Sequence, residues 1–315
     1  MDDKNNQPVM VRESIWTDVK KFGIVSVTGG NQLYRNGYQQ LLVKVFVEVT
    51  DWLGYSTSLI QSEFDSIALI NGITGVALIK DRNRGDVGVW KYTEQEDSRF
   101  RQLPPNGPVQ GPVPSGEFVY TKDFYVTSSS DRPIDLQLRI TRADGVTFHS
   151  DKLKNFGALA LVPLPPATYR PEQYSVRRTS APYTSRGDIE KVEVFNLELI
   201  IDQQRMEFVT DFSMSAHLRI GSSDSRYTGY YVVGYGNGRS MRTGARVYWD
   251  LPDALGRDRS GNRNVAWVLA YGKHGGRVWV RDPVSKTSFE LRDMYGNFHQ
   301  LHLELTDNPL TVRVY

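Results

Sequence analysis

The stretch Tyr38–Ser58, YQQLLVKVFVEVTDWLGYSTS, decides the fold class that we predict for the whole chain. Apolar residues occupy every second position of its first half, which is typical of a pleated strand with one buried face. The opposite face is mixed, with Phe46 as its large apolar member, and the chain turns at Asp51–Gly54. We predict the central strand of a β-sandwich, whose buried face consists of Leu41, Val43, Val45, Val47 and Val49.

Short alternating stretches of this kind recur along the 315 residues, separated by turns rich in Gly, Pro and Asn. An α/β fold needs crossover helices of about ten residues or more, and the spacing leaves no room for them. The proline-rich segment Leu164–Tyr174 marks a boundary, after which the pattern restarts. We therefore predict an all-β fold. It has an N-terminal arm at 1–21 and two antiparallel β-sandwich domains, Ig-like or jelly-roll-like, at 22–167 and 168–315.

Two segments leave alternatives open. Lys191–Ile201 alternates, but its apolar phase switches between Val194 and Phe195. A period of two switches phase only through an inserted residue, so we expect a β-bulge there or a strand buried on both faces. The segment Leu103–Gly116 is rich in proline, which excludes a central strand and leaves a linker or a crossing loop.

The N-terminal arm is polar and carries a few apolar residues at a spacing that suits one face of a short helix. One interpretation is a tail that packs loosely on its own domain. The other is an assembly arm that docks on a neighbouring subunit. The arm residues in question are Val11, Ile15, Trp16 and Val19.

Composition restricts the classes of partner. The net charge of +2 gives no strong nucleic-acid signal, and the absence of cysteine excludes disulfides and thiol catalysis.

The N-terminal segment has no apolar core of the kind found in signal peptides. The longest apolar stretch, Ile67–Ile79, is interrupted and too short for a transmembrane helix. We expect synthesis in the cytoplasm without a signal peptide, with the product in a virion or an extracellular particle.

Catalytic and metal-binding motifs are missing from the sequence. It contains no H-E-x-x-H, no G-x-S-x-G and no G-x-x-x-x-G-K-[ST]. His299 and His302 are three residues apart, so on a regular strand they point to opposite faces and cannot chelate one metal. We expect no catalytic residues, no metal, no cofactor and no enzymatic activity.

A region between 226 and 249 interleaves tyrosine and arginine, the residue types that are enriched at binding surfaces and that stack on sugars. The alternative is that half of the tyrosines belong to the core of two strands and the arginines to a solvated face. The candidate partner-binding or glycan-binding residues are Tyr227, Tyr230, Tyr231, Tyr235, Arg239, Arg242, Arg246 and Trp249.

These features favour a non-enzymatic structural or attachment subunit of a particle such as a bacteriophage virion. It would act as a homo-oligomer or together with other particle subunits, with a surface glycan as a further partner. The first alternative is a carbohydrate-binding or carbohydrate-active β-sandwich protein. The second alternative is a secreted effector or toxin.

Overall fold

The computed structural model describes residues 15–28, 30–81, 86–104, 113–150, 156–180, 189–209, 219–221, 227–235, 265–273, 286–305 and 312–314. The chain forms two compact units, Met1–Pro165 and Pro166–Tyr315. Nearly all regular structure in both is β-strand, so the predicted all-β class is confirmed. The Ig-like or jelly-roll-like assignment stays a prediction. Within the described ranges, no helix combines the length and the apolar character needed to cross a bilayer.

The first unit contains two sheets. The first has the strand order β1-β3-β8-β7-β6 with β4 beside β3, and the second has β10-β9-β11-β2 with β5 beside β9. One short helix, α1 (Gln61–Asp65), connects β4 to β5. The strands are β1 Asp18–Ser26, β2 Gln32–Tyr34, β3 Leu41–Thr50, β4 Ser56–Thr57, β5 Ala68–Asn71, β6 Ile79–Lys80, β7 Trp90–Thr93, β8 Tyr120–Ser128, β9 Ile134–Thr141, β10 Thr147–His149 and β11 Leu159–Leu164.

The predicted central strand is β3, which is hydrogen-bonded to β1 on one side and β8 on the other. Its five predicted apolar residues are buried in one cluster with residues of β9 and β11 in the other sheet. Its second face is partly covered, since Leu42 and Lys44 are half-buried and the remaining three residues of this face are buried. Phe46 is buried against the backbone of Gly23, where a Cβ would overlap its ring, and packs edge-to-face on Phe156 at 6.0 Å between ring centroids.

Two strand pairs are parallel, against the prediction of purely antiparallel sheets. β11 runs parallel to β2, and β6 runs parallel to β7. Parallel partners require a connection long enough to return to the same end of the sheet. The 124 residues between β2 and β11 supply such a connection, so no tight hairpin imposes the antiparallel direction on that pair.

The helical spacing assigned to the arm is wrong over the described residues. Residues 15–17 have no regular structure and β1 begins at Asp18, so the last residues of the predicted arm belong to the first sheet. Pairing with β3 determines this: the Thr17 amide donates to the Thr50 carbonyl, and Val19 lies opposite Val49. Tertiary hydrogen bonding therefore overrides the local pattern.

The described residues of the second unit also form two sheets, ordered β12-β13-β18-β17-β16 with β14 beside β13, and β15-β19-β20-β21. A 3-10 turn at Pro171–Gln173 precedes them. The strands are β12 Tyr174–Ser180, β13 Ile189–Ile201, β14 Gln204–Met206, β15 Phe208–Val209, β16 Arg219–Gly221, β17 Tyr227–Tyr235, β18 Val265–Lys273, β19 Lys286–Asp293, β20 Phe298–Leu305 and β21 Val312–Val314.

Of the two alternatives for Lys191–Ile201, the β-bulge between Val194 and Phe195 is wrong, and the strand buried on both faces stays a prediction. β13 keeps a continuous register through this point with both β12 and β18. The pairing of β13 with β18 shifts between Ile189 and Lys191 instead. A strand that is buried on both faces also interrupts the alternation of apolar and polar residues, as an inserted residue does. The sequence pattern alone therefore does not distinguish a bulge from such a strand.

A buried carboxylate, Asp293, ties the start of the second unit to the β19–β20 hairpin. Its Oδ2 accepts from the Tyr169 hydroxyl at 2.7 Å and from Asn297 Nδ2 at 3.0 Å. His299 stacks on the Tyr169 ring at 4.9 Å, and its Nδ1 lies 2.7 Å from the Tyr174 hydroxyl. Burial raises the pKa of Asp293, but hydrogen bonds from His299, Tyr169 and Asn297 outweigh burial and lower that pKa overall.

Candidate functional site

The turn between β3 and β4 is an exposed apolar feature of the first unit, and hydrogen bonds hold its backbone. Asp51 Oδ1 accepts hydrogen bonds from the amides of Leu53 and Tyr55, both at 2.9 Å. The Asp51 amide donates to the Tyr55 carbonyl, and the Gly54 amide donates to the Asp51 carbonyl. Gly54 has a φ of +85°, which glycine adopts without the strain of a Cβ. The aspartate and the glycine therefore fix the backbone of this turn.

Three large side chains point outward from this fixed turn. Trp52 is 77% exposed, Tyr55 69% and Leu53 56%. Single exposed apolar residues are ordinary, but adjacent ones on a rigid support mark an interaction surface. Tryptophan and tyrosine are also the residues that most often dominate binding energy. We call Trp52–Tyr55 the apolar tip.

An ionic cluster lies at the base of the apolar tip. Glu48 on β3 is buried and binds the ammonium groups of Lys20 at 2.8 Å and Lys21 at 2.5 Å, both on β1. Ser56, the first residue of β4, donates to Glu48 at 2.6 Å. Burial raises the pKa of Glu48, but hydrogen bonds from Lys20, Lys21 and Ser56 outweigh it and lower that pKa to about 2. Glu48 thus connects β3 and β4, from which the tip extends, to the neighbouring strand β1.

A second candidate is a polar cavity of about 310 Å³ beside β7. Lys91 lines it, and its buried ammonium lies 3.1 Å from Asp81 and 2.5 Å from Asp86. The hydrogen bond with Asp86 raises the pKa of Lys91, and burial opposes this. The described lining is polar and contains no aromatic side chain.

The polar groups of this cavity are largely used within the protein. Gln40 accepts from the Asp97 amide at 2.6 Å and donates to the Gln95 carbonyl at 3.2 Å. The Arg99 guanidinium pairs with the Asp97 carboxylate at 2.9 Å. A ligand would have to displace water from groups that already have partners, which limits the affinity available here.

The sequence-predicted arm residues lie in different environments. Trp16 is only 1% exposed and donates from Nε1 to Glu63 Oε2 at 2.7 Å, so it packs in the core of its own unit. Val19 packs against the same core, whereas Ile15 is exposed. Val11 lies outside the described residues. The structure thus brings Trp16 and Val19 into the first unit and leaves Ile15 at its surface.

The predicted tyrosine and arginine region is described only in part. Tyr227, Tyr230, Tyr231 and Tyr235 belong to β17, which pairs with β16 and β18. The remaining predicted residues of this region, Arg239, Arg242, Arg246 and Trp249, lie outside the described residues.

The two histidines considered for a metal site lie on β20, where His299 is buried and His302 is exposed. This matches the opposite orientations expected three residues apart on a strand. Within the described residues, no three histidine, aspartate or glutamate side chains form a metal-binding group.

Sequence reasoning missed the apolar tip, although the signal was present. The segment Asp51–Gly54 was recognised as a turn from its aspartate and glycine. A turn lies at the surface, so the tryptophan and leucine between these two residues had to be exposed there.

No protein-family model matches the chain, and no curated protein matches it significantly. Three solved structures show weak similarity. The adhesin InvE of Yersinia pseudotuberculosis is 8% identical, with 90% of this chain and 57% of that chain covered and a TM-score of 0.20. The C-terminal domain of the Streptococcus pyogenes antigen I/II-family protein AspA is 10% identical, with 91% of this chain and 98% of that chain covered and a TM-score of 0.23. The CupB6 tip adhesin of Pseudomonas aeruginosa is 11% identical, with 91% of this chain and 98% of that chain covered and a TM-score of 0.21. TM-scores of this size carry no functional argument.

Proposed function

We propose that the protein is a non-enzymatic attachment protein that binds a surface through the apolar tip. The observation that carries this proposal is the rigid presentation of Trp52, Leu53 and Tyr55 to solvent. A turn that is already ordered loses little conformational entropy on binding, so its apolar contacts contribute more fully to affinity. Exposing three such side chains without a partner would otherwise favour aggregation.

Two buried carboxylates, Glu63 and Asp293, support a non-enzymatic role. Glu63 accepts from Trp16 Nε1 and from the amides of Ile60 and Ala143. Asp293 accepts hydrogen bonds from Asn297 of its own hairpin and from the Tyr169 hydroxyl. A catalytic acid or base must reach its substrate, whereas both of these carboxylates are enclosed by the elements that they hold together.

The experiment compares labelled protein and two variants for binding to a panel of bacterial and animal cells by flow cytometry. Trp52→Ala should abolish most of the binding. The control is Ile73→Ala in the turn after β5, where Ile73 is 80% exposed and Asn71 Oδ1 accepts from the Ile73 amide at 2.9 Å. This turn matches the tip in exposure and construction but carries no aromatic residue. Equal losses in both variants, or no binding to any cell, would overturn the proposal.

Assembly into a particle such as a phage virion is the finer form of this proposal. The cysteine-free, turn-rich composition supports it. An assembly contact would use a sheet edge in place of Trp16, because Trp16 is enclosed in its own unit. β6 forms the edge of the first sheet and carries the exposed Ile79. Mass photometry over a range of concentrations should show an oligomer that Ile79→Lys dissociates, and a monomer at every concentration would contradict it.

A carbohydrate-binding role is the second candidate function, and the polar cavity beside β7 favours it. A volume of about 310 Å³ is within the usual range of small-molecule sites. A glycan array should then show binding that Arg99→Ala removes and Trp52→Ala leaves unchanged. Binding that survives Arg99→Ala would exclude this cavity. Sugars commonly stack on aromatic side chains, and the described lining of the cavity contains none, so we rank this candidate second.

A further inference from the structure

We infer that the surface contacted by the apolar tip is the interfacial layer of a lipid bilayer. This inference rests on the proposed function, because it names the partner class of the same site. Tryptophan and tyrosine favour the level of the lipid headgroups, where an apolar ring meets a wet boundary. Trp52 and Tyr55 are the two most exposed residues of the tip, so their rings contact the headgroup layer first, with Leu53 beside them.

Three backbone amides of the tip already have hydrogen-bond partners within the protein, which suits a medium with little water. An amide that enters such a medium without a hydrogen-bond partner is costly. The amides of Leu53 and Tyr55 donate to Asp51 Oδ1, and the Gly54 amide donates to the Asp51 carbonyl. These three donors keep their partners when the tip leaves bulk water, which removes their share of the desolvation cost of inserting the turn.

The area of the tip favours lipid over a folded protein partner. A large side chain buries about 150–250 Å², so Trp52, Leu53 and Tyr55 together offer on the order of 500 Å². A stable protein interface needs roughly 800 Å² on each partner and a complementary shape. A fluid bilayer adapts to a convex tip and requires no complementary pocket.

The charges around the base of the tip define the kind of lipid. The ammonium groups of Lys20 and Lys21 lie there beside the Glu48 carboxylate. Asp18, opposite Thr50, and Asp51 add two further carboxylates. Among these five groups two cations face three anions, and the nearby Arg142 is paired with Asp144, so there is no excess of positive charge. Attraction to anionic headgroups therefore contributes little, and apolar insertion must supply the affinity.

The test measures co-sedimentation of the full chain with phosphatidylcholine vesicles and with vesicles that also contain phosphatidylserine. Both should bind the protein with similar partition coefficients that change little with salt. Trp52→Ala should lower partitioning about tenfold or more, and Trp52→Ala with Tyr55→Ala should lower it further. The control Ile73→Ala should stay within about twofold of the original protein. Brominated lipid should quench fluorescence in the original protein and much less in Trp52→Phe.

Three outcomes would overturn the inference. Absence of vesicle binding, with cell binding still lost in Trp52→Ala, would assign the tip to a protein or glycan receptor and leave the proposed function standing. Vesicle binding that the tip variants do not change would place lipid contact elsewhere. Binding restricted to phosphatidylserine and removed by salt would show electrostatic adsorption in place of insertion. Thermal unfolding of each variant confirms that it is folded.

Discussion

Trp16 and Trp52 both lie near the end of β3 at Thr50, and their environments are opposite. Trp16 is buried, contacts the Phe148 ring at 4.8 Å between centroids and donates its indole N–H to Glu63. Trp52 follows the same strand and extends into solvent from a turn that Asp51 holds. A tryptophan is held in the core, as an anchor, where a buried acceptor can receive its indole N–H. Where the backbone turns outward, the same residue type is exposed and is available for contact with a partner.

Replacing the anchor should have the largest effect. Trp16→Ala removes a buried aromatic ring, and it deprives the buried Glu63 of one hydrogen bond. We expect the free energy of unfolding to fall by about 3–5 kcal/mol. Chemical denaturation followed by circular dichroism measures this. A variant that kept its stability but lost oligomer mass would show that Trp16 docks on a neighbouring subunit.

The ionic cluster beneath the tip should have an intermediate effect that depends on pH. The folded-state pKa of Glu48 is lowered from 4.5 to about 2. Its stabilising contribution is therefore complete above pH 4.5 and is lost as pH falls towards 2. Glu48→Gln should cost about 1–3 kcal/mol at pH 6 and almost nothing at pH 2.

The control for this pH dependence is Glu290→Gln, which removes an exposed carboxylate of the second unit. Its denaturation midpoint should follow that of the original protein at each pH. A constant difference between Glu48→Gln and the original protein from pH 6 to pH 2 would contradict the lowered pKa of Glu48.

The contrast between the two tryptophans also shows what sequence can predict. The alternation in Leu41–Val49 predicts β3 because burial of one face is a local, periodic property. The burial of Trp16 depends on Glu63, 47 residues away, and no local pattern contains that pairing. The local helical spacing near Trp16 was therefore misleading. The exposure of Trp52 was predictable from the turn residues around it, whereas the tyrosine-rich β17 carried the more visible but less specific pattern.

Loosening the turn should have a smaller effect on stability than disrupting its base. Gly54 has a left-handed backbone and open space where a Cβ would be placed. Gly54→Ala therefore introduces backbone strain without a clash and should cost about 1 kcal/mol. Binding by the tip should weaken with it, because the turn is less well ordered before contact. Unchanged stability together with unchanged binding would show that the left-handed geometry is not required.

Replacing the contact tryptophan should have the smallest effect on folding and the clearest effect on binding. The Trp52 side chain is 77% exposed, so Trp52→Ala removes little buried area. Its free energy of unfolding should remain within about 0.5 kcal/mol of the original. Chemical denaturation of Trp52→Ala beside Trp16→Ala tests this directly. Destabilisation of Trp52→Ala by more than about 1 kcal/mol would mean that this ring packs on its own protein. The apolar tip would then be part of the fold, because a surface residue held only for binding contributes nothing measurable to folding.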